Sequence, residues 1–166
     1  MMKKPFIKMH GLGNDFVVID STKNQYTINK SSIQLISDRR FGVGCDQVIE
    51  MKPSAKEDIY MKIYNSDGTE AGACGNGTRC VADYLMKRDN LISLYIDSIS
   101  GNLKCTKENN LVTVNMGMPK FEWNEIPLSY EQNTQKVLLD EFEAFCISIG
   151  NPHAVIFITN IKDLEN

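Results

Sequence analysis

Short runs rich in Val, Ile and Tyr, broken by turn residues and only rarely by helical patterns, limit this chain to a strand-rich fold. The runs predict strands over 6–10, 16–20, 47–51, 59–65, 94–97, 102–106 and 111–115. Within them Ile59, Met61 and Ile63 alternate with Tyr60, Lys62 and Tyr64, the two-residue period of a half-buried strand. Asn109-Asn110 separates two of the runs and reads as a hairpin turn, because Asn tolerates positive φ. Two helices stand out. One spans about 31–39, with Ser31 or Ser32 as N-cap. The other spans about 76–88, with Cys80, Val81, Tyr84 and Leu85 on one face and Lys87 and Arg88 complementing the dipole in the last turn. Strands and helices do not alternate regularly as a parallel sheet requires, so the class is α+β with an antiparallel or mixed sheet.

The texture changes near Gly117-Met118-Pro119. Residues 120–135 contain Pro127 and many polar side chains and read as a linker or domain crossing. Strand-like runs resume at 136–139, 144–149 and 154–159, and 163–166 reads as a loop or the start of a helix. The division is therefore 1–118 and 119–166.

Charge and cysteine content narrow the setting. Eighteen basic and 21 acidic residues give a net charge of −3 with no basic block, which argues against nucleic acid as a partner. The longest apolar run, 154–158, is far short of a membrane span. Five cysteines, an odd number, and no apolar leader after Lys3-Lys4 point to a cytoplasmic chain with reduced thiols.

The segment most charged with chemistry is Ala73-Cys74-Gly75-Asn76-Gly77-Thr78-Arg79-Cys80. A cysteine is followed by a flexible turn and then by the second helix. Its sulfur should lie at a helix N-terminus, among unpaired N–H groups and the positive end of the dipole. That setting lowers a thiol pKa from about 8.5 and provides a seat for a carboxylate or phosphate.

Other motifs are incomplete. Gly11-Leu12-Gly13 lacks the third glycine of a dinucleotide loop, since Phe16 stands there. Gly72 and Gly77 have phosphate-loop spacing, but Thr78-Arg79 follows in place of Lys-Ser/Thr. Cys74 and Cys80 would point about 240° apart on a helix and cannot share an ion, and with two histidines no metal site is expected. Cys80, Cys105 and Cys146 read as core residues, and Cys45 is ambiguous with burial favoured. Asn14, Asn65, Asn76 and Asn151 are either turn formers or, together, donors and acceptors for a zwitterionic ligand. His153, after Pro152 at a strand start, is either a turn cap or part of the site.

Four blocks together resemble the diaminopimelate epimerases. They are Met9-His10-Gly11-Leu12-Gly13-Asn14-Asp15-Phe16; Arg39 to Gln47 (Arg-Arg-Phe-Gly-Val-Gly-Cys-Asp-Gln); Asn65-Ser66-Asp67-Gly68-Thr69-Glu70 with Cys74 to Cys80; and Gly150-Asn151-Pro152-His153. The resemblance implies two similar halves, each a barrel-like mixed sheet around a central helix, facing each other across the site. It implies cofactor-independent interconversion of LL- and meso-2,6-diaminopimelate, without pyridoxal phosphate, on the route to lysine and peptidoglycan precursors, and leaves a homodimer possible. On this chain it implies Cys74 as acid or base with His153 adjacent. Gly75 and Asn76 would bind the α-carboxylate, and Asn14, Gln47, Asn65 and Asn151 would contact substrate. The Gly-Cys-Gly block that carries the family's second cysteine does not occur by residue 166. The expectation is a first half plus the opening strands of a second, supplying one half-site and inactive by itself. Two alternatives remain open: a related cofactor-independent racemase or isomerase, and a non-catalytic fragment that binds a ligand or partner.

Overall fold

The computed structural model describes residues 5–24 and 26–160. They form two compact units, Met1–Met116 and Gly117–Asn166.

The first unit contains β1 (Ile7–Gly11), β2 (Asn14–Asp20), α1 (Lys30–Ser37), β3 (Gln47–Lys52), β4 (Ile59–Asn65), β5 (Glu70–Ala71), α2 (Gly75–Asp89), β6 (Ser93–Ser98), β7 (Gly101–Glu108) and β8 (Leu111–Asn115). The eight strands make one sheet in the order β1-β2-β3-β4-β6-β7-β8, with β5 paired to β4. Local connections give antiparallel pairs. Leu12 and Gly13, at φ 55° and 90°, close the β1–β2 hairpin, and Asn109 and Asn110, at 48° and 64°, close β7–β8. Both have the two positive φ values that match strand twist in a tight turn. The two parallel pairs, β2–β3 and β4–β6, are the ones joined through α1 and α2. The sheet is mixed, as expected.

Helix α2 packs against β1 and β8, the two ends of the strand order, as well as β2, β6 and β7. The sheet therefore curls around it. Val81, Ala82, Leu85 and Met86 meet Phe16, Val18, Ile49, Met51, Met61 and Ile63 in the main core. On the opposite face of the sheet Val17, Ile19 and Val48 pack with Ile33 of α1 and Cys45. This explains why Phe16–Val17–Val18–Ile19 is apolar throughout: both faces of β2 are covered.

Two details of α1 differ from expectation. Its N-cap is Asn29, not Ser31 or Ser32: extended backbone lets Asn29 Oδ1 accept the Ser32 N–H at 2.9 Å, and both serine hydroxyls donate to that same oxygen. The helix ends at Ser37 because Asp38 leaves helical geometry, and its Oδ1 accepts the N–H groups of Arg40 and Phe41 at 2.7 Å. The two-residue β5 had no periodicity to reveal it.

The second unit is an antiparallel sheet of β9 (Val137–Leu139), β10 (Phe142–Ser148) and β11 (Pro152–Ile156), ordered β11-β10-β9. Residues 120–135 are built into it and do not behave as a plain linker. Ile126 is buried with Val137, Ala144 and Cys146, and Lys120 and Ser148 exchange backbone hydrogen bonds of 2.8 and 3.0 Å. The loop or helix start expected at 163–166 lies outside the described residues. Among the described residues no helix is long and apolar enough to cross a membrane.

Candidate active site

Cys74 is the N-cap of α2. Its extended backbone turns its carbonyl into the helix, where it accepts the Thr78 N–H and the Thr78 hydroxyl, each at 2.9 Å. Its Sγ accepts the Gly77 N–H at 3.3 Å. Sulfur thus occupies the place normally taken by the oxygen of Ser, Thr, Asp or Asn. Two glycines permit this placement. A Cβ on Gly77 would stand 2.7 Å from Ile49 Cδ1 and 3.4 Å from both Cys74 Sγ and Phe16 Cε1. A Cβ on Gly11 would stand 3.3 Å from Asn76 Cβ, so the β1–β2 hairpin closes directly onto the first turn of α2.

That hairpin delivers Asn14. Its Oδ1 lies 3.7 Å from Cys74 Sγ, accepting the thiol proton, and accepts Asn76 Nδ2 at 3.5 Å. Its Nδ2 donates to Asp46 Oδ2 at 3.0 Å. The Asn76 Oδ1 accepts from Arg79. One strand over, Gln47 Nε2 donates to Asn65 Oδ1 at 3.0 Å, and Asn65 Nδ2 donates to Thr69 Oγ1 at 3.1 Å. Phe16, Gln47 and Asn65 are register partners across β2, β3 and β4, so Asn14, Gln47 and Asn65 share one end of the sheet. The fold thus brings Cys74, Gly75, Asn76 and Asn14 together, with Gln47 and Asn65 on the same rim. Asn151 and His153 belong to the second unit. There Asn151 O accepts the Ile149 N–H at 3.2 Å in the β10–β11 turn, and exposed His153 pairs with Ile147 across the strands.

The expected fall in the Cys74 pKa does not occur. Burial of the thiol pushes it above its ordinary value, against the opposing pull of the Gly77 and Asn76 N–H groups and of Arg79. Desolvation of the anion outweighs the helix terminus, so Cys74 rests as a thiol at neutral pH. Cys45, Cys80, Cys105 and Cys146 are all buried, and burial pushes Cys105 up to about 11. Cys74 is the half-buried exception.

A charged cluster behind Asn14 was not assigned a role from sequence. Arg39 donates to both oxygens of Asp15, at 3.0 and 2.8 Å, and to Asp46 at 2.8 Å; Lys8 adds 2.8 Å to Asp15. The Arg39 guanidinium holds the Asp15 carboxyl far below the usual range, and Asn14 and the Asp15 N–H lower Asp46. Arg39 and Asp46 both lie in the second of the four sequence blocks, which was the available signal. Among the described residues no group of three or more His, Cys, Asp or Glu side chains could hold a metal ion.

Residues 6–122 match the family model described as diaminopimelate epimerase. A curated diaminopimelate epimerase of Carboxydothermus hydrogenoformans is 44% identical over 96% of this chain and 62% of its own length. One from Pelagibacter ubique is 42% identical over 96% and 62%. The chain thus spans less than two thirds of these relatives. Two solved structures share the fold. A phenazine biosynthesis protein of the PhzF family from Bacillus anthracis has TM-score 0.63 and 21% identity over 99% of this chain and 59% of its own. A hydroxyproline epimerase from Agrobacterium vitis, with bound trans-4-hydroxy-L-proline, has TM-score 0.63 and 11% identity over 97% and 52%. The chain belongs to the diaminopimelate epimerase family.

Proposed function

We propose that this chain supplies one half-site for the epimerisation of LL- to meso-2,6-diaminopimelate, with Cys74 as the acid or base on one face of the α-carbon. The carrying observation is the half-buried Cys74 thiol capping α2 with Asn14 and Asn76 beside it. The α-proton of an amino acid is weakly acidic, so its removal needs negative charge stabilised where it develops. The N–H groups of Gly75 and Asn76, at the positive end of a 15-residue helix, suit the α-carboxylate. Asn14, Gln47 and Asn65 offer both donors and acceptors to a zwitterion. Because Cys74 rests protonated, delivering a proton needs no prior ionisation; in the reverse direction the substrate must find or induce the thiolate. Inversion requires a second group on the opposite face, and the other four cysteines of this chain are buried.

The test is incubation with LL-diaminopimelate in deuterium oxide, following loss of the α-proton and appearance of the meso form. The 166-residue chain is expected to give no meso form. Fusion to the C-terminal remainder of the Carboxydothermus relative is expected to give turnover that Cys74→Ala abolishes. Meso product from the unfused chain, or a fusion still active after Cys74→Ala, would overturn the reading.

A further inference from the structure

We infer that Asp46 is a positioning residue for Cys74: its carboxylate holds the Asn14 amide in the orientation that turns Oδ1, not Nδ2, toward the thiol. A carboxylate at neutral pH can only accept, so the Asn14 atom 3.0 Å from Asp46 Oδ2 must be the nitrogen. The amide oxygen then faces Cys74 Sγ at 3.7 Å and Asn76 Nδ2 at 3.5 Å. Asp46 is itself fixed. The Asp15 N–H donates to its Oδ2 at 3.0 Å, Arg39 donates to its Oδ1 at 2.8 Å, and the Asp46 N–H returns to Asp15 at 2.9 Å.

The orientation bears on the balance between thiol and thiolate. An amide oxygen next to sulfur accepts from a thiol and repels a thiolate, whereas the amide nitrogen would donate to a thiolate. Arg79 and the backbone N–H groups of Gly77 and Asn76 favour the thiolate. Burial favours the thiol, and the neighbouring Cys80 is itself held protonated by burial; the Asn14 oxygen, 3.7 Å from the sulfur, acts in the same direction. Asp46 thus reinforces, through Asn14, the thiol state that burial already favours. Its bearing on catalysis rests on Cys74 being the acid or base proposed above; the effect on the thiol stands without it.

The experiment is the pH dependence of iodoacetamide labelling of Cys74 in the full chain, read by peptide mapping. Asp46→Ala frees the amide to turn, and the labelling midpoint is expected to fall by about half to one pH unit, the worth of one exchanged hydrogen bond. Asp46→Asn removes the charge but keeps an oxygen that can accept from Asn14, and is expected to stay near the original midpoint. In an Asn14→Ala background, Asp46→Ala is expected to change nothing further. An unmoved midpoint in Asp46→Ala overturns the inference. So does an undiminished shift in the Asn14→Ala background, or an equal shift in Asp46→Asn, since either would make Asp46 act by its charge directly. Asp46→Ser, too short to reach Asn14, gives the same reading if Asp46→Ala does not fold. None of these midpoints depends on diaminopimelate turnover, so this inference and the proposed reaction fail separately.

Discussion

Replacing Gly77 by Ala sets two effects of known size against each other. Alanine gains about 0.8–1 kcal/mol over glycine inside a helix, somewhat less in the first turn. Against this, the new methyl would lie 2.7 Å from Ile49 Cδ1 in a fully buried contact, with Phe16 and Cys74 Sγ already at 3.4 Å. Overpacking of this kind costs about 1–3 kcal/mol. The net expectation is a loss of about 1 kcal/mol, or about 2–4 °C in Tm for a chain of this size. The obstructing atom is Ile49 Cδ1. Ile49→Val deletes Cδ1 and by itself costs about 0.5–1.5 kcal/mol. In that background Gly77→Ala should become neutral or stabilising, giving a coupling of about 1 kcal/mol between the two positions. Urea unfolding of the four proteins measures it. Strict additivity, or a Gly77→Ala protein more stable than the parent, would show that the first turn of α2 is not pressed against β3 as described.

Gly42→Ala should be far more damaging, by several kcal/mol, because its Cβ would fall 1.8 Å from the Leu35 carbonyl oxygen and 2.9 Å from those of Asp38 and Ile36, with no side chain able to yield; thermal unfolding reports it. Asp15 is ionised more readily folded than unfolded, chiefly through Arg39, so it stabilises the fold above the unfolded carboxylate pKa of about 3.9 and loses that contribution as pH falls below it. Asp15→Asn should therefore destabilise at pH 7 and progressively less from pH 4 downward, as urea midpoints across that range will show. Cys74 should be the first thiol to react with iodoacetamide in the folded chain, with a rate still climbing above pH 8.5 because burial raises its pKa; earlier labelling of Cys80 or Cys105 would contradict the burial pattern.

Local pattern made much of this fold legible. The alternation at Ile59–Asn65 and the paired asparagines at Asn109-Asn110 each depend on residues within a few positions, and both recur in the structure as expected. The α1 cap went to Asn29 because three neighbouring side chains could cap and only backbone geometry chooses among them. Of the candidate site, the position of Cys74 at the start of α2 was legible in sequence, whereas Asn14 came beside it only through the fold. What could not be read was the balance at the sulfur. A helix terminus is visible in sequence, but the desolvation that outweighs it comes from burial against the main core, whose members, Phe16 and Ile49 among them, lie far away along the chain. The Arg39–Asp15–Asp46 cluster escaped for the same reason: its members become a unit only when β2 and β3 pair.

The closure of β1 and β8 onto a single helix also dictates an order of events during folding. The hairpins β1–β2 and β7–β8 join neighbours in sequence and can form within microseconds. Helix α2 cannot finish packing until both have arrived from opposite ends of the first unit. The contact between Cys74 and Asn14, 60 residues apart, therefore belongs to the slow, non-local phase. A refolding chain would regain its hairpins first and the shielded, amide-paired sulfur last. The rate at which Cys74 becomes protected from a fast thiol reagent is thus a clock for completion of the native topology.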